Sequence, residues 1–273
     1  MKVAFQGERG AYSEEAVRAL FGEVDVRPCP SLGEVFDLVG AGGADQAVVP
    51  VENSQAGSIN ETYDLLLAHT LYIVGELDQR IRHCLLARPG EGLESLRRVY
   101  SHPQALAQCD AFLRQHRLEP MPAYDTAGSA KMVAEQRLVG AGAIAGRAAA
   151  AIYGLSVLAE GIETNPFNYT KFLSLAREPA PRTPESKTSV VFMTKNAPGA
   201  LYRALGALAG RGLNLTKLES RPRRQVPWEY IFYVDFEGHQ DDPLSAGALS
   251  ELARDTTFLR VLGSYPKSPT PLT

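Results

Sequence analysis

Apolar positions change period repeatedly along residues 1–176. Short runs of strand character at residues 2–5, 46–51, 71–77, 80–86, 99–100, 122–124, 143–145 and 155–158 are separated by stretches whose apolar residues recur at helical spacing. The first helical stretch carries Ala16, Val17, Leu20 and Phe21. A later one carries Tyr63, Leu65, Leu66 and Leu67, and another Ala105, Leu106, Cys109, Phe112 and Leu113. Punctuation supports these boundaries. Ser13 is placed to cap the first helix, and Ser31 with Glu34 forms a capping box for a helix through Val39. Pro103 suits a first helical turn, Thr126 caps a helix through Gln136, and Gly154 ends a helix over 146–153. Alternating strands and helices predict an α/β domain.

Four polar turns, near Ser13, Asn53, Ser101 and Thr126, occupy the same place in this pattern, after a strand and before a helix. In open α/β sheets that edge is where ligands bind. The chain makes one α/β set, then a second, then returns through 162–176, IETNPFNYTKFLSLA, as a two-lobed domain with a cleft is threaded. The expected lobes are 1–77 with 160–178, and 78–159. Residues 177–186, which include EPAPRTPES, read as a linker. Strands at 188–194, 213–218, 229–236 and 258–264 with helices at 199–210 and 244–254 follow, the βαββαβ order of a ferredoxin-like domain. The tail, 266–273, is expected to be disordered.

Composition narrows the function. A hydrophobic content of 45% is that of a folded protein, and a net charge of −3 argues against nucleic acid as a partner. No apolar run approaches the roughly 20 residues of a membrane helix. With a strand-like run over 1–6, no signal peptide is expected. Cys29, Cys84 and Cys109 are odd in number and far apart, which suits a reducing cytoplasm. The five histidines show no metal-ligand spacing, so no metal site is expected.

Candidate chemistry concentrates where residues 162–176 change from loop to strand. Asn168, Thr170 and Lys171 place an amide, a hydroxyl and a cation at a strand mouth, a set suited to an anionic ligand. The turn Gly7-Glu8-Arg9-Gly10 is either an anion cradle or a tight strand–helix turn, and it lacks the dinucleotide fingerprint. His102 is either an acid–base group or a structural residue beside a capping position.

Taken together, Gly7-x-x-Gly10-x-Tyr12-Ser13, Val49-Pro50-Val51-Glu52-Asn53-Ser54, Tyr100-Ser101-His102-Pro103-Gln104 and Asn168-Tyr169-Thr170-Lys171-Phe172 resemble the prephenate dehydratase family in order and spacing. The segments Ala197-Pro198-Gly199-Ala200-Leu201 and Asn214-Leu215-Thr216-Lys217-Leu218-Glu219-Ser220-Arg221-Pro222 resemble the two effector-site motifs of its ACT domain. The resemblance implies a two-lobed, periplasmic-binding-protein-like (type II) catalytic domain over 1–178, a linker over 179–186 and an ACT domain over 187–265. No N-terminal chorismate mutase segment is expected. Lys171 stands where the family usually carries arginine, keeping the charge and losing the bidentate fork.

The activity implied is decarboxylative dehydration of prephenate to phenylpyruvate, without a cofactor, in phenylalanine biosynthesis. Thr170 would donate to the leaving hydroxyl with Asn168 beside it, and Glu52 is a second acid candidate. Ser13, Asn53, Ser54, Ser101, Gln104, Thr126 and Phe172 would hold the substrate, and Lys171 would pair with a carboxylate on the pyruvyl side. L-Phenylalanine would bind at Gly199, Ala200, Leu201, Asn214, Leu215, Glu219, Ser220 and Arg221 and inhibit allosterically, in a homodimer or homotetramer. An arogenate dehydratase and a non-catalytic ligand sensor are the alternatives.

Overall fold

The computed structural model describes residues 1–223 and 226–268. In chain order its elements are β1 (Lys2–Gln6), α1 (Tyr12–Phe21), β2 (Asp25–Cys29), α2 (Leu32–Gly40), β3 (Gln46–Asn53), β4 (Gly57–Ser58), α3 (Asn60–Ala68) and β5 (Tyr72–Arg80). Then come β6 (Cys84–Ala87), β7 (Arg98–Ser101), α4 (Pro103–Gln108), α5 (Asp110–Gln115), β8 (Glu119–Pro122), α6 (Thr126–Glu135), β9 (Ala141–Ala145), α7 (Arg147–Tyr153), β10 (Ser156–Glu160) and β11 (Tyr169–Ala176). The last are β12 (Ser186–Met193), α8 (Ala200–Ala209), β13 (Leu215–Pro222), β14 (Tyr230–Glu237), α9 (Pro243–Asp255) and β15 (Phe258–Pro266).

These elements divide into two compact units. Among the described residues one comprises Met1–Leu65 and Leu77–Leu173, the other Leu66–Glu76 and those from Ser174 onward. The first unit has two lobes, each built on its own sheet. One sheet has the order β2-β1-β3-β11-β5, with β4 paired to β3, and the other β10-β6-β9-β7-β8. Two crossovers join them, residues 81–83 from β5 to β6 and residues 161–168 from β10 to β11. This is the two-lobed, type II binding-protein arrangement. The crossovers are tied together, since Ile162 N–H donates to the His83 carbonyl (3.2 Å) and Ile81 N–H to that of Asn168 (2.8 Å).

Where the strands are buried on both faces, the apolar runs are continuous. In β6, Cys84 and Leu86 join one core while Leu85 and Ala87 join another. The first of these cores runs between the lobes: Val3, Phe5 and Val17 share it with Ala127, Ala130, Ala143 and Ala149. Small side chains let the elements come close. A Cβ on Gly10 would sit 2.8 Å from the Ala149 Cα, and φ of 81° there already favours glycine.

Several expectations need correction. β2 escaped the sequence pattern because it is an edge strand, mostly polar and with Pro28 in it. β8 lies three residues earlier than expected, also at an edge. The run over 80–86 is two strands, and the helix over Ala105–Leu113 is broken at Cys109 into α4 and α5. Ser13 lies inside α1 and does not cap it. Asp125, not Thr126, caps α6, accepting from Gly128 N–H at 2.7 Å. The glycine turn is closed as an anion cradle, because the Glu14 carboxylate takes the Gly10 N–H (2.8 Å) and pairs with Arg9.

The second unit carries an antiparallel sheet of order β13-β14-β12-β15. Val190, Phe192, Val234 and Phe236 pack under α8 and α9 against Ala204, Leu208, Ala248 and Leu252. On β12 the buried Lys187 ammonium is paired with Glu76 and Asp235. Arg260 holds the Leu66–Glu76 segment by donating to the carbonyls of Leu67 (3.1 Å) and His69 (2.7 Å) at the end of α3. At the end of the chain, Pro266 belongs to β15 and Lys267 N–H donates to the Glu185 carbonyl (3.0 Å), so the expected disorder does not begin at 266. Residues 269–273 of that expected tail lie outside the described residues.

Glu15 joins the lobes in a pH-dependent way. Burial pushes its carboxyl up to about 7, although the Ala148 N–H at the start of α7 favours its ionised form. Between about pH 4.5 and 7 the folded state therefore holds a proton that the unfolded state has lost, and stability falls as pH rises through that window. Glu15→Gln should raise the melting temperature at pH 8, by up to about 3 kcal/mol of stability, and leave it nearly unchanged near pH 5. Thermal melts of both proteins at the two pH values check this.

Candidate active site

The site is assembled from the ends of strands and starts of helices on both lobes. A cavity of about 160 Å³ is lined by Tyr12, Ser13, Asn53, His83, His102, Gln104, Gln108, Thr126, Thr170 and Phe172, with Pro50, Ile59, Ile81 and Ala105. A second hollow of about 530 Å³ is lined by Gln104 and Gln108 again, together with Gln55, Ala107, Asp110, Thr164, Asn165 and Asn168. The first turns of α1 and α6 meet at the smaller cavity, where their dipoles favour negative charge.

Asn53 sets the polarity of the site. Its Oδ1 accepts from the backbone N–H groups of Gln55 and Ala56, each at 3.0 Å, and backbone cannot swap donor for acceptor. Its Nδ2 therefore faces the Asn168 Oδ1 (2.9 Å), the Tyr169 carbonyl (3.1 Å) and the Thr170 Oγ1 (3.0 Å). Asn168 then donates through Nδ2 to the Gln108 Oε1 at 3.0 Å. Thr170 is an acceptor from Asn53, so its own hydroxyl hydrogen is left to a group in the cavity. Asn53, Asn168 and Thr170 are all buried, which makes a misassigned donor costly.

Not all the expected residues meet here. Ser13, Asn53, Gln104, Thr126, Thr170 and Phe172 line the smaller cavity, and Asn168 lines the larger. Ser54 instead stitches loop to strand, donating to the Phe167 carbonyl and accepting from Tyr169 N–H, both at 2.9 Å. Ser101 is fully buried and donates to the Ile144 carbonyl at 2.6 Å. Glu52 sits opposite Ser58 in the β3–β4 ladder, outside both cavities. Lys171 follows Thr170 in a strand, so its side chain takes the other face, where it pairs with Asp78 at 2.7 Å. His102 lines the cavity and caps α4, its Nδ1 accepting from Gln104 N–H at 3.3 Å.

Gln108 and His83 were missed. Gln108 is one helical turn beyond Gln104 and on the same face, a signal available from spacing. His83 was hidden in a run that reads as strand but is a crossover. No Lys, Arg, Asp or Glu lines the smaller cavity among the described residues, and no group of three His, Cys, Asp or Glu side chains there could hold a metal ion.

In the second unit Gly199 is the N-cap of α8, with φ of 75°. Ala200 and Leu201 line a hollow of about 140 Å³ with Lys195, Trp228, Tyr230 and Phe232. The other expected effector residues do not line it. Asn214 donates to the Glu237 Oε2 (3.2 Å), and Leu215, Glu219, Ser220 and Arg221 lie along the edge strand β13.

Comparison with known proteins bears directly on this geometry. The sequence profile of the prephenate dehydratase family matches residues 3–180, and that of the ACT domain matches residues 188–254. The chain belongs to the prephenate dehydratase family. It is a carbon–oxygen lyase of the prephenate/arogenate dehydratase class, with a C-terminal ACT regulatory domain. An arogenate dehydratase/prephenate dehydratase from Arabidopsis thaliana, a chloroplastic protein, is 47% identical over 283 aligned positions, covering 100% of this chain and 74% of the relative. A solved prephenate dehydratase from Arthrobacter aurescens, in complex with L-Phe, superposes with a TM-score of 0.90 at 35% identity, covering 98% of this chain and 90% of that one. A quorum-quenching acylase, GqqA, superposes with a TM-score of 0.91 at 39% identity, covering 98% and 99%.

Two outcomes follow from the site. Thr170→Ala should lower kcat by about 10²–10⁴ with a smaller change in KM, and Thr170→Ser should keep part of the activity. Asn53→Asp, nearly isosteric, turns the donor facing Asn168 and Thr170 into an acceptor and should also act mainly on kcat. Steady-state kinetics check both, and an Asn53→Asp enzyme of normal kcat would refute the orienting role. Lys171→Met should act on stability rather than KM, by roughly 1–3 kcal/mol, because it strips a partner from the half-buried Asp78. Denaturant melts beside KM measurements separate the two.

Proposed function

We propose that this chain converts prephenate to phenylpyruvate and is inhibited by L-phenylalanine through its ACT domain. The observation that carries the reading is the Thr170 hydroxyl, held as an acceptor by Asn53 so that its hydrogen is available to a leaving group. Loss of hydroxide and carbon dioxide makes the ring aromatic, so the driving force lies in the substrate. The protein need only assist departure of the hydroxyl and tolerate charge leaving the carboxylate. A cavity lined by neutral donors suits this, because a tight ion pair on the reacting carboxylate would stabilise the ground state. An amide rather than a base contacts Thr170, which fits donation better than nucleophilic attack on an acyl carbon.

Prephenate is favoured over arogenate by charge. The amino group of arogenate calls for an anionic partner, and among the described residues no carboxylate lines the smaller cavity. The larger one offers Asp110, which is already paired with Arg114 at 2.9 Å. The catalytic domain is taken as 1–178, the ACT domain as 187–265, and the assembly as a homodimer or homotetramer. Edge strand β13, with Leu218 half exposed, supports such an assembly. The three cysteines are buried and free, in keeping with a reducing compartment. No helix among the described residues is long and apolar enough to cross a membrane.

For the effector, the Arthrobacter protein's complex with L-Phe supports the identity of the ligand, and the hollow lined by Ala200 and Leu201 at the start of α8 is the place this chain offers for it. Turnover of prephenate and arogenate side by side tests the substrate, with the higher kcat/KM expected for prephenate. A clear preference for arogenate would overturn that choice. Millimolar L-phenylalanine should inhibit, and Gly199→Val, which cannot keep a φ of 75° without strain, should weaken inhibition while turnover persists. An enzyme indifferent to L-phenylalanine would sink the effector assignment.

A further inference from the structure

His83 lies in the crossover from β5 to β6 and is buried. Its backbone is fixed, with the N–H donating to the Glu163 Oε2 at 2.9 Å and the carbonyl accepting from Ile162. Both ring nitrogens are engaged. Nε2 lies 2.8 Å from the Gln108 Oε1, and Nδ1 lies 2.8 Å from the Tyr12 Oη, with the two rings edge to face. Tyr12 comes from α1 on one lobe and Gln108 from α4 on the other.

The tautomer of this histidine can be deduced. The backbone N–H groups of Gln55 and Ala56 fix Asn53, Asn53 fixes Asn168, and Asn168 donates to the Gln108 Oε1. The Gln108 oxygen is therefore an acceptor, and the nitrogen facing it, Nε2, must carry the hydrogen. In the neutral ring Nδ1 is then a lone pair that needs a donor, and the Tyr12 phenol supplies it. Burial raises the Tyr12 pKa well above its ordinary value, so the phenol keeps its proton. Burial also lowers the His83 pKa, which keeps the ring neutral near pH 7. The phenol has a second acceptor within reach, the Arg82 carbonyl at 3.0 Å, to which it would turn if Nδ1 were protonated.

We propose that His83 is a positioning residue for the dehydration: locked by Tyr12 as the Nε2–H tautomer, it holds the Gln108 amide in the one orientation compatible with Asn168 and Asn53, and so secures the far end of the row that holds the Thr170 hydroxyl. In the other tautomer the Nε2 lone pair would face the Gln108 oxygen. The amide would have to turn over, setting its NH₂ against that of Asn168, and the conflict would pass along the row to Asn53. Because Tyr12 and Gln108 sit on different lobes, the row is complete only when both lobes hold the ring. The inference rests on the dehydratase reading above and adds a role to residues on the rim of that site.

The test uses the full-length chain, with nitrogen-labelled histidine NMR beside steady-state kinetics on prephenate. The wild-type His83 signal, assigned by its loss in His83→Gln, should be that of a neutral Nε2–H ring. Tyr12→Phe should yield a mixture of tautomers together with a fall in kcat. His83→Leu should lower kcat by roughly 10- to 100-fold with KM little changed, the scale of loss that a small misplacement of a catalytic group brings. His83→Gln, whose amide places a donor near the position of Nε2, should recover most of that loss. An Nδ1–H ring in the active wild type would overturn the proposal, and so would a His83→Gln enzyme as slow as a folded His83→Leu. A Tyr12→Phe enzyme with scrambled tautomers but unimpaired kcat would overturn it without any variant of His83 itself. A wild-type chain inactive on both prephenate and arogenate would instead overturn the dehydratase reading on which it rests.

Discussion

Two backbone N–H groups, those of Gln55 and Ala56, decide the polarity of the whole site. Side-chain amides can turn over and imidazoles can exchange tautomers, but a peptide N–H is always a donor. By donating to the Asn53 Oδ1 at 3.0 Å, this pair fixes which end of every amide beyond it gives and which accepts. Thr170 and His83 stand at the two ends of the row so oriented, one bonded to Asn53 and the other to Gln108. In a buried row each wrong pairing would leave an acceptor facing an acceptor, so one pattern is strongly preferred.

Placing neutral donors around the cavity changes how the protein handles an anion. The nearby cation, Lys171, is turned to the far face of β11 and held by Asp78. The buried Lys187 is matched by Glu76 and Asp235 in the second unit. What remains for a charged substrate is a set of hydroxyls, amides and helix starts. These hold charge diffusely and do not resist its departure from a carboxylate that must leave as carbon dioxide. For such a reaction a weaker hold on the reacting group is an advantage.

Much of this was legible in the sequence. Period changes and capping residues located nearly all the strands and helices, the βαββαβ order marked the second unit, and the ordered motifs carried the family. The four polar turns marked the sites where helix starts would gather, because a strand end followed by a helix start is a local pattern. Asn53 and Gln104 could be singled out on the same ground, and Thr170 as a hydroxyl where a loop becomes a strand. Edge strands β2 and β8 were harder, since one half-exposed face and internal prolines erase the apolar signal.

Tertiary structure alone decided which polar groups face the cavity. Lys171 and Thr170 are adjacent in sequence, yet strand alternation sends one to Asp78 and the other to Asn53. Ser101 and Ser54 looked like ligand contacts, but the backbone carbonyls of Ile144 and Phe167 claim their hydroxyls. His83 gave no sequence signal at all, because its partners lie 71 residues before it and 25 after it. The chain by itself determined its elements, their order and the turns at which chemistry could occur, because those depend on neighbours within a few positions. Donor and acceptor roles depend on residues brought together from more than a hundred positions apart, as Asn53 and Thr170 are, and only the folded lobes supply them.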